Sequence, residues 1–184
     1  MTPTAVANVV MQFPLIKHAV GVFGTCDASP KTLKRTLKDR SVVLYPGGIA
    51  ELFLCDDKEE RIFVKKRKGF VKVALQTGVD IIPVYLFGNT QVLKVAKSAA
   101  LRAFARATGV TVTWFWGVWG TVVPFEKKIV SAMGRPLGIP HIPEPTQEDI
   151  EKYHTLYVNE VQRIFDTYKV TNPDFVNKQL IFSE

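Results

Sequence analysis

Residues 41–88 constrain what this chain can fold into more than any other stretch. They open on a short apolar run, Val42-Val43-Leu44-Tyr45, which stops at Pro46-Gly47-Gly48. A β-branched run that breaks at Pro-Gly-Gly reads as a buried strand entering a tight turn. Glu51 follows the turn, and then a charged, hairpin-like segment from Cys55 to Arg61. Phe63-Val64-Lys65-Lys66-Arg67-Lys68-Gly69-Phe70 leads into a helical pattern, Val71, Ala74 and Leu75, which Gly78 can cap. A second apolar run, Ile81-Ile82-Pro83-Val84-Tyr85-Leu86-Phe87, closes at Gly88. Strand, turn, helix and strand in this order predict an α/β fold. The expectation is a mixed sheet covered by helices, with residues 42–45 and 81–86 as central neighbours.

The flanking segments fit around that unit. Residues 4–12 read as a short buried helix ended by Phe13-Pro14. Ser29 precedes Pro30 at a good helix start, with Leu33 and Leu37 on the inner face. Asn89 can cap a helix running to about residue 107, and residues 110–116 alternate as a strand does. Residues 129–133 read as a further strand, ending at Gly134-Arg135-Pro136. Thr146 with Asp149 resembles a capping box, and it opens a last helix whose apolar stripe runs through Ile150, Tyr153, Tyr157, Val161, Ile164, Phe165 and Tyr168. Asn172-Pro173 ends that helix, and the tail reads as an arm. At 184 residues the whole chain, 1–184, fits one domain with a sizeable core.

Charge and cysteine usage narrow the partners. The net charge of +7 favours anionic ones: phosphate groups, acidic headgroups or nucleic acid. No basic-aromatic motif resembles a nucleic-acid module, so nucleic acid is disfavoured. Residues 81–125 contain no Asp or Glu, while Lys94, Lys97, Arg102 and Arg106 are basic. That stretch reads either as a solvated face over an ordinary core or as a basic amphipathic surface for an anionic membrane. Trp114, Trp116 and Trp119 pack a sheet or sit at a headgroup layer. No window reaches the roughly 20 strongly apolar residues of a spanning helix, and no signal peptide is expected. Cys26 and Cys55 read as reduced and buried, and no metal spacing is present.

Candidate binding residues carry paired readings. Pro46, Gly47 and Gly48 either present backbone N–H groups to a phosphate or carbonyl, or form a structural turn. Glu51 either orients a substrate hydroxyl or pairs with a basic residue. Lys65, Lys66, Arg67 and Lys68 either meet phosphates or make a solvated helix start. Arg135 reads as structural, holding the proline loop by a salt bridge. His154 reads as packed or hydrogen-bonded, His141 as a loop residue and His18 as surface.

Tyr45-Pro46-Gly47-Gly48-Ile49-Ala50-Glu51, Arg67-Lys68-Gly69-Phe70-Val71-Lys72, Ile82-Pro83-Val84-Tyr85, Phe87-Gly88, Gly134-Arg135-Pro136 and Tyr153-His154 together resemble the type-2 diacylglycerol acyltransferase family. That family includes the mono- and diacylglycerol and wax-ester O-acyltransferases, and the likeness runs from about residue 13 to about residue 169. One small departure is Ser29-Pro30-Lys31, where members commonly have Ser-Arg. The resemblance implies a glycerolipid acyltransferase-like fold and transfer of a fatty acyl group from acyl-CoA to diacylglycerol or a related neutral lipid alcohol. Acyl-CoA is then a substrate and no cofactor is needed. The implied location is the cytosolic face of the endoplasmic reticulum membrane. The implied substrate-binding residues are Pro46, Gly47, Gly48, Glu51, Arg67, Lys68, Gly69 and Phe70.

Acyl transfer to an alcohol needs a base. In the resembled family it is the histidine of a His-Pro-His-Gly motif, upstream of the matched part. The wider superfamily places Asp five positions after the histidine. Here those positions hold Phe23 after His18, Thr146 after His141 and Asn159 after His154. No catalytic residue is therefore assigned, and the chain reads as an N-terminally incomplete acyltransferase domain. The alternative is a non-catalytic relative that binds lipid, acyl-CoA or a partner acyltransferase. Nothing in the sequence sets an oligomeric state.

Overall fold

Among the described residues, three α-helices form where the sequence carries local start and stop signals. The computed structural model describes residues 2–6, 24–47, 59–95, 115–121 and 123–183. Helix α1, Pro30–Thr36, starts at its proline and buries Leu33; the Ser29 hydroxyl bonds Thr32 Oγ1 at 3.1 Å rather than a backbone N–H. Helix α2, Gly69–Thr77, buries Val71, Val73, Ala74 and Leu75. It stops at Gly78, whose φ of 67° only glycine adopts without strain, with its N–H donating to the Ala74 carbonyl. Helix α3, Gln147–Tyr168, opens on the expected capping box. Asp149 N–H donates to Thr146 Oγ1 at 3.1 Å, and Thr146 N–H donates to Asp149 Oδ2 at 2.9 Å.

The strands depart from the expected sheet. Among the described residues they form four two-stranded ladders instead of one mixed sheet. Strands β1 (Thr4–Val6) and β2 (Thr25–Asp27) pair in parallel. Residues 4–6 are thus strand rather than helix, and 7–12 lie outside the described residues. Strand β3 (Glu59–Phe63) pairs in parallel with β8 (Gln179–Ser183), so the tail is not a free arm. Strand β4 (Val84–Phe87) pairs antiparallel with β7 (Val130–Met133). Strands β5 (Lys94–Val95) and β6 (Phe115–Trp116) make a short antiparallel pair. Asn89 opens only a 3₁₀ turn, Asn89–Gln91, and the rest of the helix expected to residue 107 is replaced by β5 or lies outside the described residues.

The two runs expected as central neighbours do not pair, for a backbone reason. Residues 42–45 form no strand, only an isolated parallel bridge from Val43 to Thr4, while 84–87 pair with β7. Val43 N–H donates to the Pro3 carbonyl at 3.0 Å, and the Val43 carbonyl accepts from Ala5 N–H at 2.8 Å. Its donor and acceptor are therefore spent on the N-terminal segment. The other run is shortened at Pro83, which has no N–H to give a ladder. Its carbonyl accepts from Gly134 N–H at 2.8 Å, extending the β4–β7 pairing instead.

Packing follows from these faces. The largest cluster joins Tyr85 and Phe87 of β4 to Val161, Ile164 and Phe165 of α3, with Phe175 and Leu180 from the tail. The Phe87 and Phe165 rings lie 5.7 Å apart, and Phe175 meets Phe87 edge-on at 5.3 Å. A second cluster packs Val71, Ala74 and Leu75 of α2 against Ile139 and Ile150. A third joins Ala5, Leu33 and Val73.

Asp80 ties the segment before β4 to the proline loop. Its carboxylate accepts from the N–H groups of Ile81 at 2.8 Å, Gly138 at 3.1 Å and Ile139 at 3.1 Å. Asp80→Ala removes an acceptor serving three backbone donors and should cost about 1–3 kcal/mol, read by urea denaturation. An unchanged midpoint would mean that water serves those donors equally well.

Candidate functional site

The gap between the two expected strands is a cavity of about 550 Å³, within the roughly 300–1,000 Å³ of small-molecule sites. Residues 42–46 form one side and residues 79–86 another. Helix α1 adds Leu33, α2 adds Phe70, Val73 and Ala74, and α3 adds Tyr157 and Val161. The wall is mainly aliphatic and aromatic, so the cavity suits a hydrocarbon chain better than a polar ligand.

The structure brings two of the sequence-predicted residues to this cavity. Pro46 and Phe70 both line it. Phe70 is held by an edge-to-face contact with Tyr157, at 5.0 Å between ring centroids. Gly47 is buried beside Pro46. Arg67, Lys68 and Gly69 are not among the lining residues. Arg67 is exposed, with its N–H donating to the Val64 carbonyl at 2.9 Å. Lys68 stands at the N-cap position of α2 without a side-chain capping bond, and it forms an ion pair with Glu151 of α3. A Cβ added at Gly69 meets nothing within 4 Å, so space does not dictate that glycine. Gly48 and Glu51 lie outside the described residues.

The histidines have structural settings where they are described. His154 is buried, and its Nε2–H donates to the Val64 carbonyl at 2.9 Å. It also packs near Phe70, 6.3 Å between ring centroids. This ring props the turn that feeds α2, as its place beside the apolar stripe suggested. His141 is exposed, and His18 lies outside the described residues. Cys26 is half-buried, and burial, followed by the charge of Asp27, pushes its thiol up, away from the thiolate a nucleophile needs. Cys55 lies outside the described residues.

Sequence reasoning missed a buried polar cluster on the cavity wall. Glu60, which lines the cavity, had been read as part of a charged hairpin. It is 1% exposed on β3, opposite Leu180 of β8. Its Oε1 lies 2.7 Å from Lys178 Nζ, and the Thr90 hydroxyl donates to the same carboxylate at 3.1 and 3.2 Å. Lys178 is 4% exposed, and its ammonium sits 4.6 Å from the centroid of the Phe175 ring. Period two was the available signal: Glu60 and Ile62 share a face, as do Lys178 and Leu180.

The Gly134-Arg135 motif proves structural. A Cβ at Gly134 would lie 2.6 Å from Ile164 Cδ1, so glycine lets α3 approach closely. Arg135 acts through its backbone N–H, which donates to Glu160 Oε1 at 2.8 Å. The hydrogen bond from Arg163, with the Arg135 N–H, holds the Glu160 carboxyl at about 2, well below its ordinary value. A depressed carboxyl contributes stability fully above its unfolded value of 4.5 and loses it as pH falls toward 2. Glu160→Gln should therefore cost about 1–2 kcal/mol at neutral pH, and the difference should vanish in urea melts as pH falls through that window. A difference independent of pH would contradict this account.

Comparison with known proteins agrees with these motifs. Human diacylglycerol O-acyltransferase 2-like protein 6 is 34% identical over 182 aligned positions, covering 88% of this chain and 54% of that protein. Diacylglycerol O-acyltransferase 2 of Xenopus tropicalis is 34% identical over 176 positions, covering 86% and 48%. Human 2-acylglycerol O-acyltransferase 3 is 29% identical over 183 positions, covering 90% and 53%. The chain thus spans about half the length of the curated relatives it matches. No solved structure matches it. The family model for diacylglycerol acyltransferase matches residues 4–182, from β1 to β8, and the chain belongs to that family.

Proposed function

We propose that this chain is the acyl-holding part of a membrane-associated O-acyltransferase. The reaction would move a fatty acyl group from acyl-CoA to diacylglycerol or a related neutral lipid alcohol. The observation that carries the reading is the apolar cavity, whose wall includes Pro46 and Phe70 from two separate family motifs. In this reading the hydrocarbon chain occupies the cavity and buries its methylenes at about 0.8 kcal/mol each. Lys65, Lys66 and Arg67 are exposed where the chain enters α2 and would meet the CoA phosphates. The basic entry runs against the α2 dipole, and an anion there would be favoured by both. The work site would be the cytosolic face of the endoplasmic reticulum membrane, where such lipid substrates are held.

The base for the reaction would lie outside this chain. His154 supports this, because its Nε2 is engaged by a backbone carbonyl in a buried setting. The same observation favours the second reading, a non-catalytic relative that binds lipid or acyl-CoA, or a partner acyltransferase.

Calorimetric titration tests the cavity. Long-chain acyl-CoA should bind much more tightly than acetyl-CoA or free CoA. Val84 is 44% exposed and lines the cavity, so Val84→Trp should narrow the opening without overpacking the core. The variant should weaken long-chain binding about tenfold and leave CoA binding unchanged. Equal affinity for the long-chain and acetyl thioesters would overturn the assignment.

A further inference from the structure

Core packing does not explain the tryptophan in the turn at residues 117–121. Trp119 is 96% exposed. It is the one non-glycine with positive φ among the described residues, at φ 54° and ψ 27°. A bulky side chain takes that conformation only when its surroundings impose it. Here the turn imposes it. Gly117 N–H donates to the Thr121 carbonyl at 2.6 Å, and Val118 N–H donates to the Val123 carbonyl at 2.8 Å. Thr121 returns both its N–H, at 3.1 Å, and its hydroxyl, at 2.8 Å, to the Val118 carbonyl. Gly120 follows at φ 74°. The result is an indole presented to solvent on a hydrogen-bonded turn, with Val123 exposed nearby in sequence.

The charge around the turn indicates what the indole meets. The Lys94 backbone pairs with Trp116 in the β5–β6 ladder, three positions before Trp119. Lys94 is exposed, with its ammonium 5.5 Å from the centroid of the Phe125 ring. Lys127 and Lys128 are exposed after Phe125, with Glu126 as the one acid beside them. A single tryptophan offers roughly 150–250 Å², against roughly 800 Å² per partner in a stable protein interface. An indole flanked by cations suits the headgroup layer of a bilayer, where indoles settle and anionic lipids attract lysine.

We infer that Trp119 is an interfacial membrane anchor, placing its indole in the headgroup layer while Lys94, Lys127 and Lys128 meet anionic headgroups. This rests on the membrane association proposed above and adds the residue that achieves it. The test is vesicle flotation of the full chain with phosphatidylcholine alone and with added phosphatidylserine. Trp119→Asn keeps a residue that tolerates the left-handed turn, and Trp119→Phe keeps an apolar ring. The Asn variant should partition about tenfold more weakly onto both vesicle types, with the Phe variant near the native chain. Indole fluorescence of the native chain should be quenched by lipids brominated near the headgroup, and the Asn variant should lose that part of the quenching. Native-like partition and quenching in the Asn variant would overturn the anchor while leaving membrane binding intact. A native chain that floats with neither vesicle would overturn both the anchor and the membrane association, with acyl-CoA titration still reporting on the cavity.

Discussion

Replacing Lys178 with methionine should destabilise the fold by about 3–5 kcal/mol, because it leaves the Glu60 carboxylate buried without its counter-charge. Glu60 is within 2.7 Å of that ammonium and almost wholly removed from solvent. The Thr90 and Tyr85 hydroxyls still serve it in the variant, but two neutral donors do not offset the desolvation of a charge. A domain of ordinary stability, about 5–15 kcal/mol, loses a large part of its margin. Removing both partners should behave differently. Glu60→Leu with Lys178→Met takes both charges out of an apolar wall and should recover most of the loss. Urea denaturation of the two single variants and the double variant gives the coupling directly. A single Lys178→Met variant within about 1 kcal/mol of the native chain would show that water reaches the pair.

The same pair shows where sequence reasoning stopped. Local signals were sufficient for α1, α2 and α3: Pro30 at the start of α1, Gly78 at the end of α2, and Thr146 with Asp149 at the start of α3 all act within a few residues, whereas the Asn89 signal opened only a 3₁₀ turn. Strand pairing is not local. The partner of β3 lies some 120 residues further along, beyond the Asn172-Pro173 break, and no local signal links the two. Glu60 looked solvated because its sequence neighbours are charged, whereas its strand position turns it inward. Residues 42–45 and 81–86 do converge, but across a cavity instead of a ladder, since Val43 spends its backbone groups on Pro3 and Ala5.

Of the motif residues read as binding candidates, Pro46 and Phe70 line the cavity. Lys68 does not, and only the folded chain shows it paired with Glu151. Gly134-Arg135 illustrates the opposite error that motifs invite. A motif shared with acyltransferases serves here to seat α3 and to cap one N–H with Glu160.

The central claim is that this chain holds the acyl substrate while the base of the reaction lies elsewhere. A glycerolipid hydroxyl is a weak nucleophile at neutral pH, and a positioned base typically contributes about 10²–10⁴-fold. His154 already donates Nε2–H to Val64, and His141 stands exposed outside the cavity lining. The most direct measurement is a radiolabelled acyl-CoA transfer assay on the purified chain with diacylglycerol as acceptor and a full-length family member as control. The account predicts long-chain acyl-CoA binding with turnover lower than the control by about 10²-fold or more. Turnover equal to the control, abolished by replacing His18, His141 or His154, would contradict it.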